Sequence, residues 1–231
     1  MKRSRIYLLS DELVFPDPRN ADAHGLLAIG GDLRFERLML AYKKGIFPWY
    51  SEDDPILWFS PDPRLVLFPD KLKISRSLKK IIRKRVFEIH FDSKFEEVIT
   101  LCADVERKHQ DSTWITDDMI EAYIDLHRRG YAHSVEAYYD NKLAGGLYGV
   151  SLGGTFFGES MFHLITNASK VALYYLVQKL KEWNFDFIDS QITTEHLLSL
   201  GAEEISRHNY LGILENSLSK KTIYGTWQNI L

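Results

Sequence analysis

The sequence predicts an α/β (α+β) fold in two parts, a small N-terminal α/β domain over residues 1–88 and a larger domain over residues 89–231. All seven prolines lie between Pro16 and Pro69, so the first part is rich in turns. Beyond residue 86, apolar residues alternate as in strands or recur every three to four residues as in helices. A chain of 231 residues is long enough for one large domain or two small ones.

The N-terminal part contains two predicted helices and one predicted strand. "FERLMLAYKKG" has helical spacing, and Gly45 ends the helix. "RLVLF" alternates weakly, as a strand does. "SRSLKKIIRKR" predicts a helix that Ser75 caps. Its inward face is expected to hold Leu78, Ile81 and Ile82.

The C-terminal part alternates between strand and helix patterns. "VFEIHF" predicts a strand, and two helices follow, of which the second begins at a Thr116 cap and stops at Gly130. Three strands come next, with a turn at Asp140–Asn141 between the first two. "NASKVALYYLVQKLKEWN" predicts a long amphipathic helix with Asn167 as its cap. "FDFIDSQI" then predicts a strand, "TEHLLSLG" a helix and "AEEISRH" a final strand.

Composition limits the class of protein. Apolar residues make up 45% and charged residues 26%, which is typical of a folded globular chain. No apolar run approaches the roughly 18–20 residues that span a bilayer, so no membrane association is expected. The single cysteine, Cys102, excludes an internal disulfide and suits a reducing compartment. The expected location is therefore cytoplasmic.

One segment, residues 71–85, concentrates positive charge. It carries eight cationic residues and no acid, although the whole chain has a net charge of −3. Such a block predicts a surface that binds an anion, whereas a simple solvated helix face usually mixes both signs. The eight residues are Lys71, Lys73, Arg76, Lys79, Lys80, Arg83, Lys84 and Arg85.

Two further stretches carry candidate chemistry. In "GGTFFGESMFHL", Glu159 lies in an apolar frame, and a buried carboxylate needs a partner from the chain or from a ligand. In "IDSQ", strand alternation predicts that Asp189 and Gln191 share a face with Phe187. An acid and an amide at a strand end can orient a nucleophile and manage its proton. The alternative is a structural carboxylate bonded to a loop.

Three tryptophans lie in polar or turn contexts, namely Trp49, Trp58 and Trp114. Exposed aromatic rings near a cationic surface can stack on the bases of single-stranded nucleic acid, although a tryptophan is more often part of the core. No zinc spacing, Walker loop or dinucleotide fingerprint is present in the sequence. No metal or cofactor is therefore expected.

The order of the C-terminal elements resembles the N-acetyltransferase-like (GNAT-like) acyltransferase fold. Eight motifs in order then resemble the leucyl/phenylalanyl-tRNA–protein transferase family, from about residue 13 to residue 214. They are "FPWYSEDDPILWFSPDPR", "ISRSLKK", "TWIT", "GGLYGV", "FFGESMF", "NASK", "IDSQ" and "HLLSLGAEEISRHNYL". Where the family usually continues "GESMF" with Ser-Arg, this chain has His163-Leu164.

The resemblance implies an enzyme that moves Leu or Phe, with Met as a further candidate, from aminoacyl-tRNA to an N-terminal Arg or Lys. The product would enter N-end-rule degradation, and the reaction would need no ATP, metal or coenzyme A. Asp189 and Gln191 would hold the attacking amine, and Glu159 with Ser160 would contact the aminoacyl group. Trp49 and Trp114 would lie beside the terminal adenosine, and segment 71–85 would follow the acceptor-stem phosphates. The expected side-chain pocket comprises Leu147, Phe156, Met161, Leu173, Leu176 and Ile188.

Three other interpretations stay open at this point. A peptidoglycan-bridge ligase would also use aminoacyl-tRNA, but such ligases usually repeat the acyltransferase-like domain. A non-catalytic tRNA-binding protein would keep the cationic segment without needing Asp189 or Gln191. A coenzyme A acetyltransferase would place a glycine-rich turn before the long helix, where this chain has "LITNASK".

Overall fold

A computed structural model describes residues 6–104 and 115–228. Within these ranges the chain forms two sheets and seven α-helices. The strands are β1 Tyr7–Leu9, β2 Leu26–Gly30, β3 Phe47–Pro48, β4 Leu57–Phe59, β5 Arg64–Leu67, β6 Glu88–Phe91, β7 Ala132–Tyr139, β8 Lys142–Leu152, β9 Thr155–His163, β10 Phe187–Gln191 and β11 Glu203–Ile205. The helices are α1 Phe35–Lys43, α2 Arg76–Arg83, α3 Phe95–Asp104, α4 Asp117–Arg128, α5 Ala168–Glu182, α6 Glu195–Ser199 and α7 Arg207–Leu218.

The larger sheet has seven strands in the order β11-β5-β10-β9-β8-β7-β6. Its two faces are covered by different helices. The α2 and α5 side chains pack in one apolar cluster, and α1, α3, α4 and α7 pack in the other. The smaller sheet has the order β1-β2-β4-β3. The predicted mixed α/β class is confirmed.

The predicted strand near residue 64 is present as β5, and it belongs to the larger sheet, where it pairs with β10 and β11. The boundary at residue 88 stays a prediction. The predicted helix after Ser75 is also present, and the Ser75 hydroxyl accepts a hydrogen bond from the Leu78 amide. Leu78 is buried, whereas the two isoleucines of this helix are half-buried.

The predicted meander is confirmed as β7, β8 and β9, which pair antiparallel in sequence. Asp140 and Asn141 both have positive φ in the tight turn between β7 and β8, as a two-residue hairpin turn requires. Thr116 caps α4 as predicted, by accepting a hydrogen bond from the Met119 amide.

Two sequence predictions about local geometry are wrong. Asn167 does not cap α5 with its side chain; its backbone is left-handed, with φ of 73°. Asp189 and Gln191 do not share a face, because β10 has a bulge between them and Gln191 has φ of 55°. A bulge adds a residue and reverses the alternation beyond it.

Two features were not predicted, namely helix α7 and the strands of the smaller sheet. Helix α7 begins at Ser206, whose hydroxyl accepts a hydrogen bond from the Asn209 amide. The four short strands of the smaller sheet lie in the region that its prolines and glycines mark as turns. Among the described residues, no helix has both the length and the apolar character that crossing a bilayer demands.

Candidate functional site

The larger sheet opens where β9 and β10 part. These strands pair in parallel from Phe187 opposite Thr155 to Asp189 opposite Phe157, and no further. Beyond this point lies a cavity of about 570 Å³ between the two strands, α5, α6 and the β3 region. This volume is within the usual range for small-molecule sites.

One wall of the cavity is apolar. The structure brings together the six residues that the sequence analysis assigned to a side-chain pocket, which are Leu147, Phe156, Met161, Leu173, Leu176 and Ile188. They come from β8, β9, α5 and β10, so the pocket depends on the packing of α5 against the sheet. Ser160 and Trp49 also line the cavity.

Glu159 lies in the cavity wall and is 9% exposed. Its partners are two neutral phenols rather than a cation. The hydroxyl of Tyr42, from α1, donates to its Oε1 at 2.8 Å, and that of Tyr123, from α4, donates to its Oε2 at 3.0 Å. The Gln191 Nε2 lies 3.2 Å from the same Oε1. The chain therefore supplies the partner that the apolar frame of Glu159 requires.

Burial raises the pKa of Glu159 to about 7, against the two tyrosine hydrogen bonds, which lower it. Burial and the charge of Glu159 raise the pKa of Tyr42 and of Tyr123 well above the usual range. Both tyrosines therefore stay protonated near neutral pH, and Glu159 is the member of the cluster that titrates there.

The geometry of the cluster gives an independent reason for this. The hydroxyls of Tyr42 and Tyr123 contact each other as well as the carboxylate, so three oxygen contacts close a ring. An ionised Glu159 leaves two phenolic protons for three contacts, because each hydroxyl donates once. A proton on Glu159 supplies the third donor. The ring therefore also accommodates a protonated Glu159, whereas the hydrogen bonds from the tyrosines and from the Gln191 amide support the ionised form.

Asp189 is completely buried and does not line the cavity. Arg64 binds both of its oxygens, with Nε at 2.8 Å from Oδ1 and Nη2 at 2.7 Å from Oδ2. The Tyr210 hydroxyl donates to Oδ2 at 2.7 Å, and the Gln191 backbone N–H donates to Oδ1 at 3.0 Å. These contacts hold Gln191 in its left-handed conformation at the cavity wall.

Trp58 is core, since it is fully buried and its Nε1 donates to the Gly30 carbonyl. Trp49 is half-buried at the cavity and packs edge-on against Phe59, with ring centroids 5.5 Å apart. Trp114 lies outside the described residues.

All eight cationic residues of segment 71–85 are exposed. Lys71 binds Glu203 at 2.7 Å. The other seven form no ion pair with the described part of the chain, so their charge faces solvent. Over residues 6–104 and 115–228, no group of three or more His, Cys, Asp or Glu has the arrangement of a metal site.

The sequence analysis missed Tyr42, Tyr123, Arg64 and Tyr210. Each tyrosine occupies an apolar helix face, where a buried hydroxyl must find a partner, and that was the available signal. Arg64 begins the apolar strand "RLVLF", where an unpaired charge would be costly.

Comparisons with solved structures give partial similarity. An aminoglycoside acetyltransferase from an uncultured soil metagenomic sample aligns with a TM-score of 0.36 and 19% identity, over 49% of this chain and 84% of that chain. The L-PGS of Bacillus licheniformis aligns with a TM-score of 0.40 and 13% identity, over 75% of this chain and 57% of that chain.

Sequence comparisons are far stronger. Relatives curated as leucyl/phenylalanyl-tRNA–protein transferase include those of Syntrophobacter fumaroxidans and Myxococcus xanthus, each 54% identical over 96% of this chain and over 95% and 96% of their own lengths. The relative from Legionella pneumophila is 53% identical over 92% of this chain and 95% of its own. The family profile for leucyl/phenylalanyl-tRNA protein transferase matches residues 66–215, and the profile for its N-terminal domain matches residues 31–62. The chain belongs to the leucyl/phenylalanyl-tRNA–protein transferase family.

Proposed function

We propose that this aminoacyltransferase moves Leu or Phe from aminoacyl-tRNA to the α-amine of an N-terminal Arg or Lys, which marks the acceptor for N-end-rule degradation in the cytoplasm. The observation that carries the proposal is the pairing of an apolar pocket with Glu159 in one cavity. An aminoacyl ester has the matching shape, because its α-ammonium lies next to an apolar side chain.

The pocket wall supports selection of apolar side chains. It offers no charged group to a polar substrate, so a polar side chain would lose its hydration without compensation. Apolar side chains that differ by one methylene are separated by only about 1–3 kcal/mol in such a pocket. Acceptance of both Leu and Phe is the expected behaviour, and Met is a further candidate.

Glu159 is proposed to hold the α-ammonium of the donor. Because burial raises its pKa to about 7, a cation placed beside it draws it into the ionised form. Tyr42, Tyr123 and the Gln191 amide then donate to the carboxylate, so the ion is not left unpaired. Ser160, on the adjacent position of β9, is proposed to contact the same aminoacyl group.

Gln191 is proposed to orient the attacking amine. Its Nε2 lies against Glu159, which directs its carbonyl oxygen to accept a hydrogen bond from the amine. The neutral nitrogen attacks the ester carbon, the new C–N bond forms, and the C–O bond to the ribose breaks. The proton that the nitrogen loses passes to the departing ribose oxygen. Asp189 is proposed to act indirectly, by holding Gln191 in place, because its carboxylate is already bound by Arg64 and Tyr210.

The aminoacyl ester is already activated, so this scheme uses no ATP, metal or coenzyme A. An unperturbed α-amine has a pKa of about 7.7–8.0, so a useful fraction is neutral near physiological pH. Alignment of the two reactants is then the main contribution of the site.

Recognition of the tRNA is proposed to use two surfaces. Trp49, at the cavity, offers a ring to the terminal adenosine, and Trp114 is proposed to assist it. The exposed cations of segment 71–85 suit the acceptor-stem phosphates. Contacts of this kind are largely independent of sequence and sensitive to salt.

The test uses purified protein, radiolabelled Leu-tRNA and two peptides that differ only in an N-terminal Arg or Ala. We expect label to move to the Arg peptide alone, without ATP or coenzyme A. Transfer to both peptides would contradict the acceptor rule. Binding of tRNA without transfer to either peptide would favour a non-catalytic role, and transfer to a cell-wall precursor would favour a peptidoglycan-bridge ligase.

A further inference from the structure

The cavity has a second wall of opposite character, which the proposed chemistry does not use. His163 at the end of β9, Lys170 in the first turn of α5 and His196 on α6 all line it. Three separate elements thus bring cationic or protonatable side chains to one edge of the cavity. Threonine and asparagine side chains complete this edge, at Thr166, Asn167 and Thr194.

The three side chains act on one another. Burial is the largest cause that lowers the pKa of His196, and the charges of Lys170 and His163 lower it further. The other titratable lining residues in the described part of the chain are Tyr148 and Glu159, and Glu159 is already held by its tyrosines. This edge is therefore electropositive, because Lys170 lies on it and Glu159 is the one carboxylate among the described residues that line the cavity.

No carboxylate of the described residues forms an ion pair with His163, Lys170 or His196. Later lysines of the same helix behave differently, because Lys179 pairs with Glu182 and Lys181 pairs with Asp70. A cluster of like charges with no counterion costs energy in the free protein. An anionic ligand removes that cost.

The cationic edge is continuous with segment 71–85. The Lys73 backbone N–H donates to the Leu200 carbonyl at 2.8 Å, at the residue that follows α6. Gly201 fits closely against Lys71 and Lys73. A polyanion that enters the cavity beside His196 can therefore continue towards the exposed cations of the segment.

We propose that His163, Lys170 and His196 bind the phosphodiester group next to the terminal nucleoside of the tRNA 3′ end. This proposal rests on the proposed function, which places the aminoacyl ester of that nucleoside beside Glu159 in the same cavity. A phosphodiester accepts several charge-assisted hydrogen bonds, and the three donors converge from three elements. A basic N-terminal acceptor residue would be repelled here.

The test removes the charge from the ligand, from the protein or from both. The probe is an RNA minihelix with an intact 3′ end, compared with one whose last linkage is an uncharged methylphosphonate. Binding is measured at pH 6 and pH 8 for the wild type, for Lys170→Gln with His196→Asn, and for the control Lys179→Gln. The wild type is expected to bind the charged minihelix about tenfold more tightly than the uncharged one, and the double variant is expected to bind both equally.

The pH dependence adds a second readout. A phosphodiester beside His196 favours the protonated form of that side chain, against the burial that lowers its pKa, so the preference for the charged linkage should increase from pH 8 to pH 6. The control should reproduce the wild type, because Lys179 is paired and does not line the cavity. Melting temperatures would show that the substitutions leave the fold intact.

Two results would overturn the proposal. The first is an equal preference for the charged linkage in the wild type and the double variant. The second is a normal minihelix affinity with a raised KM for the peptide, which would place an acidic group of the acceptor at this edge. Failure of the proposed function is distinguishable, since the wild type would then transfer no label from Leu-tRNA in the peptide assay.

Discussion

The Glu159 ring makes a quantitative prediction for Tyr42→Phe and Tyr123→Phe. Each tyrosine donates a hydrogen bond that lowers the pKa of Glu159, which is about 7 in the wild type. A hydrogen bond to a charged group contributes about 1.5–3 kcal/mol, and one pKa unit corresponds to about 1.36 kcal/mol. Even at the lower end of this range, loss of one donor should raise this pKa by about one unit.

The consequence is weaker binding of the donor at neutral pH. The ionised fraction of Glu159 at pH 7 falls from about one half to about one tenth, so affinity for an α-ammonium should fall about fivefold. At pH 9 Glu159 should contribute nearly as much to donor affinity in the two phenylalanine variants as in the wild type, because the carboxylate is ionised in all three proteins.

The assay is calorimetric binding of a stable amide analogue of leucyl-adenosine between pH 5.5 and pH 9. The analogue loses its own ammonium at high pH, so affinity should follow a bell whose alkaline limb is the same in every variant. The acidic limb of this curve should move to higher pH by about one unit in each phenylalanine variant. Tyr174→Phe is the control, because Tyr174 lies on α5 against Tyr175 and not against Glu159. An acidic limb that stays near pH 7 in both variants would refute the role given to Glu159.

Three further predictions follow from the same contacts. In denaturant unfolding, Glu159→Gln should stabilise the protein by about 1–3 kcal/mol at pH 8 and leave its stability unchanged at pH 4. The reason is that a carboxyl group with a raised pKa favours the folded state below its unfolded pKa of about 4.5. This stabilisation is lost as the pH rises through the folded pKa of about 7. An equal difference at both pH values would contradict the shift. Asp189→Ala and Arg64→Ala should each lower the free energy of unfolding by about 3–5 kcal/mol, because each single change leaves a buried charge without its partner. The double variant should lose less than the sum of the two. Additive losses would contradict this. Neutralising Lys79, Lys80, Arg83 and Lys84 together should weaken tRNA binding and reduce its salt dependence, as measured by titration over a range of salt concentrations, whereas Lys142→Gln on the β7–β8 hairpin serves as the charge control.

The regular elements of the larger sheet were predictable because their patterns are long. Strands β7 to β9 and helices α4 and α5 each present an apolar face for eight residues or more, so chance matches are few. The strands of the smaller sheet have two to five residues. At that length alternation is not distinguishable from a turn, and the prolines beside β3 and β4 favoured the turn.

Part of the cavity lining was predictable from the sequence, but its tyrosine partners and its geometry were not. Glu159, Gln191 and the apolar wall were all identified, and they meet in one cavity. The bulge in β10 was not visible, because it depends on Arg64 and Tyr210 holding Asp189 from other parts of the chain. Long-range contacts of this kind override the local rule that residues two apart in a strand share a face.

The two buried carboxylates of this site have opposite environments, and the difference accounts for the separate roles proposed for them. Asp189 binds the Nε and Nη2 atoms of Arg64 and is held in a buried ion pair. Glu159 is left with neutral phenols and an amide, which do not hold it in one charge state. Had Arg64 faced Glu159 instead, the donor ammonium would have met a carboxylate that was already neutralised. Because Asp189 engages Arg64, the charge of Glu159 remains available to a ligand, and the protein tolerates a buried acid whose pKa of about 7 reduces its stability above neutral pH.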